Sequence, residues 1–201
     1  MKTKISLIAL VAITVSACGG SKDVALKTSN EPVAVTENIK VPETPKAPAP
    51  APDPRMKGHL MGRINKEMLQ SENYPWFTSN YEEYTVDADY AQKLMPLLDD
   101  VEIKVYMGTW CGDSKREIPR LYAILDAAEF DYDALNIVAV DRSKQEPRDM
   151  TRNMQIKRVP TIIFYKQGKE LNRIVEYPRE SLEADMFAIL TEQPYKHSYQ
   201  D

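Results

Sequence analysis

Apolar residues are spaced in several different ways along this chain. Ile5 to Val15 is a nearly unbroken apolar run, preceded by Lys2 and Lys4 and followed by the small residues Ser16 and Ala17. Residues 21–55 show no period and are rich in Pro, Ala, Val, Thr and Lys, with prolines at positions 42, 45, 48, 50, 52 and 54. Beyond them helical and strand spacing take turns. A helix is predicted near Leu60 to Leu69, and a second from about Asp87, where Tyr90, Ala91, Leu94, Met95 and Leu98 recur at helical intervals until Pro96 ends or kinks it. Between the two lie Tyr74, Trp76, Phe77, Tyr81 and Tyr84. Such a cluster could line a ligand groove; packing onto a core is the expectation.

From residue 101 the alternation becomes regular. Val101, Ile103, Val105 and Met107 alternate with more polar neighbours as a strand, and Ile118, Leu121, Tyr122, Leu125 and Ala128 form a helical stripe. The apolar run Ile137 to Val140 suits a strand buried on both faces, so this unit reads as a right-handed crossover between parallel strands. A short helix is predicted over 147–153. Thr161 to Tyr165 and Leu171 to Val175 flank Lys166-Gln167-Gly168-Lys169 as an antiparallel hairpin, and Leu182, Met186, Ile189 and Leu190 share one face of a last helix. No internal repeat is present. The expected organisation is residues 1–17 as a signal, 18–55 as a tether, 56–100 as a helical extension, 101–192 as an α/β domain and 193–201 as a tail.

Composition narrows the function classes. A chain of 201 residues suits one domain with appendages, and 26 basic against 30 acidic residues offer no basic surplus for a phosphate backbone, so no nucleic acid is expected as partner. The run at 5–15 is short for a membrane span and has the order of an export signal. Val15-Ser16-Ala17-Cys18 resembles the lipobox of bacterial lipoproteins, which implies cleavage before Cys18 and its lipidation; the alternative is an ordinary secretory signal with an incidental cysteine. Several acyl chains would anchor the protein stably. Gly19 and Gly20 after the cysteine lean, by that resemblance, toward the outer membrane of the cell envelope. The alternating Ala and Pro before residue 55 favour extended backbone, a semi-rigid spacer between membrane and domain.

The chain has two cysteines. With Cys18 lipidated, Cys111 is the lone thiol of the exported domain, and no intramolecular disulfide can form. It stands in Gly108-Thr109-Trp110-Cys111-Gly112-Asp113-Ser114-Lys115, at a predicted strand-to-helix turn. Free N–H groups and the dipole of a helix start stabilise a negatively charged sulfur, and Lys115 and Arg116 add positive potential against Asp113.

Trp110-Cys111-Gly112 with Lys115, Pro119 eight residues after the cysteine, and Val159-Pro160-Thr161 before a strand together resemble thioredoxin, over about Val101 to Leu190. The resemblance implies the thioredoxin-like three-layer fold, a central mixed sheet with helices on both faces. It also implies a cis peptide before Pro160, with Val159 offering its backbone to an incoming chain beside the sulfur and Trp110 shielding one side. Two departures stand out. Ser114 occupies the place of the resolving cysteine, and Val105 that of a buried aspartate which serves it. A hydroxyl cannot release a mixed disulfide, so the dithiol cycle is closed to this chain.

What remains is monothiol exchange with envelope proteins that carry cysteines or disulfides. Cys111 would be the nucleophile, tuned by Ser114 and Lys115, and Trp110, Gly112, Asp113, Val159 and Pro160 would form the substrate groove. An external thiol, glutathione or a partner protein, would resolve the intermediate, and no bound cofactor is expected. The alternatives are a non-catalytic binding module built on the same groove, or a peroxide-sensitive cysteine. His59 and His197 lie in the flanking segments without a ligand cluster, so no metal site is expected. Asp99 with Asp100, and Glu82 with Glu83, read as solvated charge. Oligomeric state is not legible.

Overall fold

The alternation at 101–107 becomes the central strand of a five-stranded mixed sheet in the computed structural model, which describes residues 56–200. The signal, the tether and Cys18 lie outside the described residues. In chain order the elements are β1 (Gly62–Ile64), α1 (Lys66–Leu69), α2 (Pro75–Glu82), α3 (Ala88–Leu94), β2 (Val101–Met107), α4 (Gly112–Ala127), β3 (Leu135–Ala139), α5 (Arg148–Thr151), β4 (Thr161–Lys166), β5 (Lys169–Val175) and α6 (Leu182–Leu190). The strand order is β1-β3-β2-β4-β5. Only β2 and β3 run parallel, joined through α4 with Val105 beside Ile137; β1 on β3, β4 on β2 and β5 on β4 are antiparallel.

Side-chain alternation divides the sheet into two faces of unequal cover. Val101, Ile103, Val105 and Met107 of β2 are each 3% exposed or less, and they pack with Ile118, Leu121, Leu125, Phe164, Leu182 and Met186 in one large core. Leu69, Phe77 and Leu94 bring α1, α2 and α3 into that same core, so five helices crowd this side, the α4 face. Tyr106, Val138, Val140, Val159 and Ile163 form a small second cluster on the opposite side. Met150 beside α5 leans on it, and the Tyr106 hydroxyl donates to the Met150 carbonyl at 2.9 Å. Helices cover both faces, but α5 alone serves the second, hereafter the α5 face.

Local chemistry sets the boundaries. The Asp87 carboxylate accepts from the backbone N–H groups of Asp89 and Tyr90 and starts α3, and Ser181 does the same for α6 through Ala184 N. Pro96 lies in a 3-10 turn, Met95–Leu97, that ends α3. At the β4–β5 hairpin Gln167 and Gly168 both have positive φ, 52° and 76°, the two-residue turn that matches the twist of paired strands.

One expectation is corrected. Residues 60–69 are not one helix: Gly62–Ile64 pair with β3 as an edge strand, and only Lys66–Leu69 are helical. Gly62 takes φ +88°, a left-handed conformation that no helix accepts, and Asn65 caps α1 by accepting from Met68 N. The aromatic cluster at 74–84 includes a helix, α2, opened by Pro75. Its Phe77 is 1% exposed and packs edge-on against Tyr122 of α4 at a centroid distance of 5.5 Å.

Candidate functional site

The chain leaves β2 at Met107 and enters α4 at Gly112, with Cys111 as its N-cap residue in extended conformation. The intervening turn is held by Cys111 N on the Gly108 carbonyl at 2.9 Å and by Lys115 N on the Cys111 carbonyl at 3.1 Å. Gly108 must lack a side chain: a Cβ there would stand 2.5 Å from Cε2 of Trp110. Trp110 in turn donates its indole N–H to the Val140 carbonyl at 2.9 Å, tying the turn to the end of β3.

Cys111 is half-buried, and its thiol donates to the Val159 carbonyl at 3.1 Å. Val159 and Pro160 are buried and the peptide between them is cis, as is that between Glu146 and Pro147. Ser114 is fully buried; its hydroxyl accepts from Gly108 N at 3.2 Å. Among the described hydrogen bonds the thiol is paired with Val159, and Ser114 holds the turn rather than the sulfur. Gly112 is exposed at the first residue of α4.

Charge around the turn is sorted into paired and unpaired groups. Asp113 is engaged by Arg116 Nη2 at 2.7 Å, and the Arg116 Nε also reaches Glu117 at 2.6 Å. The Glu117 side chain is only 3% exposed, with Arg120 3.6 Å away and Oε2 without a hydrogen-bond partner among the described residues. Arg116 is therefore spent on two carboxylates and lends the sulfur little potential. Lys115 has no carboxylate within 4.0 Å among the described residues, and Arg142, exposed after β3, stacks its guanidinium 5.0 Å from the Trp110 ring centroid.

Three contributors escape local sequence reading. Pro119, inside α4, has no N–H for the Lys115 carbonyl one turn earlier. Asn80 of α2 fills the gap, donating Nδ2 to that carbonyl at 2.8 Å. A proline in a helical stripe announces an orphan acceptor, but not which residue satisfies it. His59, far from Cys111 in sequence, is brought to the turn: its Nδ1 lies 3.2 Å from Oγ1 of Thr109, which also accepts from Leu60 N at 3.2 Å. Thr109 is 1% exposed, so the extension supplies the partners of a buried hydroxyl two residues before the cysteine. Burial first, then Arg142 and Lys115, hold the His59 imidazole below its ordinary value. Arg142 is the third, placed by the fold at the end of a strand with no motif around it. His197 lies apart, hydrogen-bonded to Tyr199 N in the tail.

Chemically, the arrangement presents one thiol at a helix start, beside a backbone carbonyl on a buried proline turn. Cys111 is the free cysteine of the described residues, which also hold no cluster of three His, Cys, Asp or Glu side chains fit for a metal.

A sequence model of the thioredoxin family matches residues 83–188. Thioredoxin-2 of Saccharomyces cerevisiae is 31% identical over 77 residues, covering 38% of this chain and 68% of that protein. Mouse thioredoxin is 25% identical over 88 residues, 44% of this chain and 78% of its own. Among solved structures, oxidised mitochondrial thioredoxin 3 of S. cerevisiae aligns with a TM-score of 0.30 at 22% identity, covering 48% of this chain and 86% of that one. A protein of unknown function from Pseudomonas aeruginosa aligns with a TM-score of 0.35 at 15% identity, covering 57% and 90%.

Proposed function

Because the chain belongs to the thioredoxin family, we propose that it performs thiol–disulfide exchange through Cys111 alone, with an external thiol completing each turnover. One observation carries this reading: a half-buried thiol stands at the start of α4 with its sulfur 3.1 Å from the Val159 carbonyl, on the turn that holds the cis peptide to Pro160. A peptide laid along that turn brings its own disulfide to the sulfur without rearrangement of the fold. Ser114 takes the position after Gly112 and Asp113 where a second sulfur would otherwise act, so the mixed disulfide waits for glutathione or a partner thiol.

The test is turnover of a mixed disulfide between glutathione and a peptide cysteine. Release of the peptide thiol should require both Cys111 and added glutathione, and Cys111→Ser should reduce it to the uncatalysed rate. Sustained insulin reduction with a thioredoxin reductase should be absent. A Cys111→Ser chain that retains the full rate would overturn the proposal.

The lipobox-like segment supports a second part of the reading. We propose that residues 1–17 are removed and Cys18 is lipidated, holding the domain at the bacterial cell envelope, on the outer membrane, through residues 18–55. Its substrates there are envelope proteins with cysteines or disulfides. Labelled fatty acid should enter the chain and be lost in Cys18→Ala; retention of label in that variant refutes the anchor.

A further inference from the structure

We propose that the Cys111 site selects disulfides carrying negative charge close to the reacting sulfur, and that Lys115 and Arg142 make that selection. The inference rests on the exchange reading above and names its substrate class. The chain as a whole is acidic, with a formal net charge of −4, yet the charged groups at this turn that have no ion-pair partner among the described residues include two cations, Lys115 and Arg142.

The nearby carboxylates are each engaged, Glu117 with Arg116 and Arg120, while Asp141 keeps its charge but is bound to its own loop. Asp113 is held by Arg116 at 2.7 Å. Asp141 folds onto its own loop, accepting from Ser143 N at 3.0 Å, Gln145 N at 2.9 Å and Glu146 N at 3.0 Å, and from the Ser143 hydroxyl. Lys115 and Arg142, in contrast, have no carboxylate within 4.0 Å among the described residues. Lys115 sits one turn along α4 from Cys111, and Arg142 lies over Trp110, the residue before it. Their potentials meet in one place, since both bear on the imidazole of His59 where it bonds Thr109. The two cations stand on elements that meet at the turn carrying Cys111, Lys115 in the first turn of α4 and Arg142 after β3 over the ring of Trp110. An anionic group on an incoming disulfide finds both unpaired, whereas a cationic one is repelled by both.

The Cys111 thiol gives its proton to water, and the thiolate donates an electron pair to one sulfur of the substrate disulfide. A bond forms between Cys111 and that sulfur while the substrate S–S bond breaks, and the other half leaves as a thiolate with the electrons of that bond. Its negative charge and that of its substituent depart past Lys115 and Arg142.

Three disulfides of similar size test the proposal on the full-length chain: dithiodipropionate (dianion), hydroxyethyl disulfide (neutral) and cystamine (dication). Each second-order rate is divided by that of mercaptoethanol with the same disulfide. The expected order is anion, neutral, cation, with at least a tenfold spread at low salt that shrinks in 0.5 M salt to about a third or less, as exposed charges are screened. In the Lys115→Ala, Arg142→Ala double variant the spread should fall to about twofold. In a Lys93→Ala, Lys169→Ala control, which removes the same charge elsewhere, it should remain. Equal or reversed rates in the parent chain, an unchanged spread in the double variant, or an equal fall in the control would each overturn the selection while leaving exchange intact. Failure to react with all three would instead overturn the exchange reading beneath it.

Discussion

The two faces of the sheet differ in what they invest. On the α4 face, side chains from five helices and all five strands close over a core whose members are almost all below a tenth exposed. On the α5 face five buried residues suffice, and Trp110, Cys111, Met150 and Met154 lean on them half-open. The lesson is a division of labour: the crowded face supplies most of the apolar burial that offsets chain entropy, and the thin face leaves the thiol reachable. The turn at 108–111 belongs to both, because α4 packs into one while its first residues look onto the other.

The division can be broken by substitutions placed on either side of it. The largest effect is expected from Phe164→Ala on the α4 face, fully buried, which should cost about 3–5 kcal/mol in chemical unfolding, while Val138→Ala on the α5 face should cost about 1–2 kcal/mol. Exchange by the folded Phe164→Ala protein, measured well below its midpoint, should stay within about twofold of the parent. A large loss there would show the faces to be coupled. Gly108→Ala comes next, because the added methyl meets the Trp110 ring; about 1–3 kcal/mol and a several-fold slower mixed-disulfide formation are expected, read by urea titration and stopped-flow. Asn80→Leu should cost about 1–2 kcal/mol by leaving the Lys115 carbonyl without a donor. It also sharpens the comparison, since Asn80 lies on the crowded side yet braces the turn that carries the thiol.

The smallest effect concerns acid. Burial alone would raise the Asp126 carboxyl, but hydrogen bonds from Lys66, Tyr132 and Tyr81 outweigh it and hold it below the ordinary carboxylate range. A folded value below the unfolded one contributes stability that is complete above about pH 4 and is lost as pH falls through the folded value. Asp126→Asn should therefore lower the stability at neutral pH by less than about 1 kcal/mol and flatten its decline below pH 4, measured by thermal unfolding across pH 2–7. The Lys66 ammonium also lies 4.7 Å from the Tyr81 ring centroid, so Lys66→Met tests the same cluster from its other side.

The elements that carry the site were legible because each announces itself over many residues. The β2 alternation, the α4 stripe and the Gln167-Gly168 turn are local patterns, and the thiol with its neighbours sits where two of them meet. Strand β1 was not legible: three residues are too few to show an alternation, and Leu60, Ile64 and Met68 fall at helical spacing by coincidence. The partners of the turn were hidden for a different reason. His59, Asn80 and Arg142 reach it through sheet pairing and helix packing, and nothing in their own neighbourhoods records that destination. Even the role of Ser114 depends on this, for whether its hydroxyl faces sulfur or backbone is decided by where Gly108 turns.

The bond between the extension and Thr109 sets a practical limit on how this molecule may be trimmed. A fragment started at residue 83, where the family likeness begins, would keep every strand-forming pattern of the recognised domain and still strip one edge from its sheet, uncover the flank of α4 and abandon a sealed hydroxyl two residues before the cysteine. The smallest unit that can report faithfully on Cys111 begins ahead of His59.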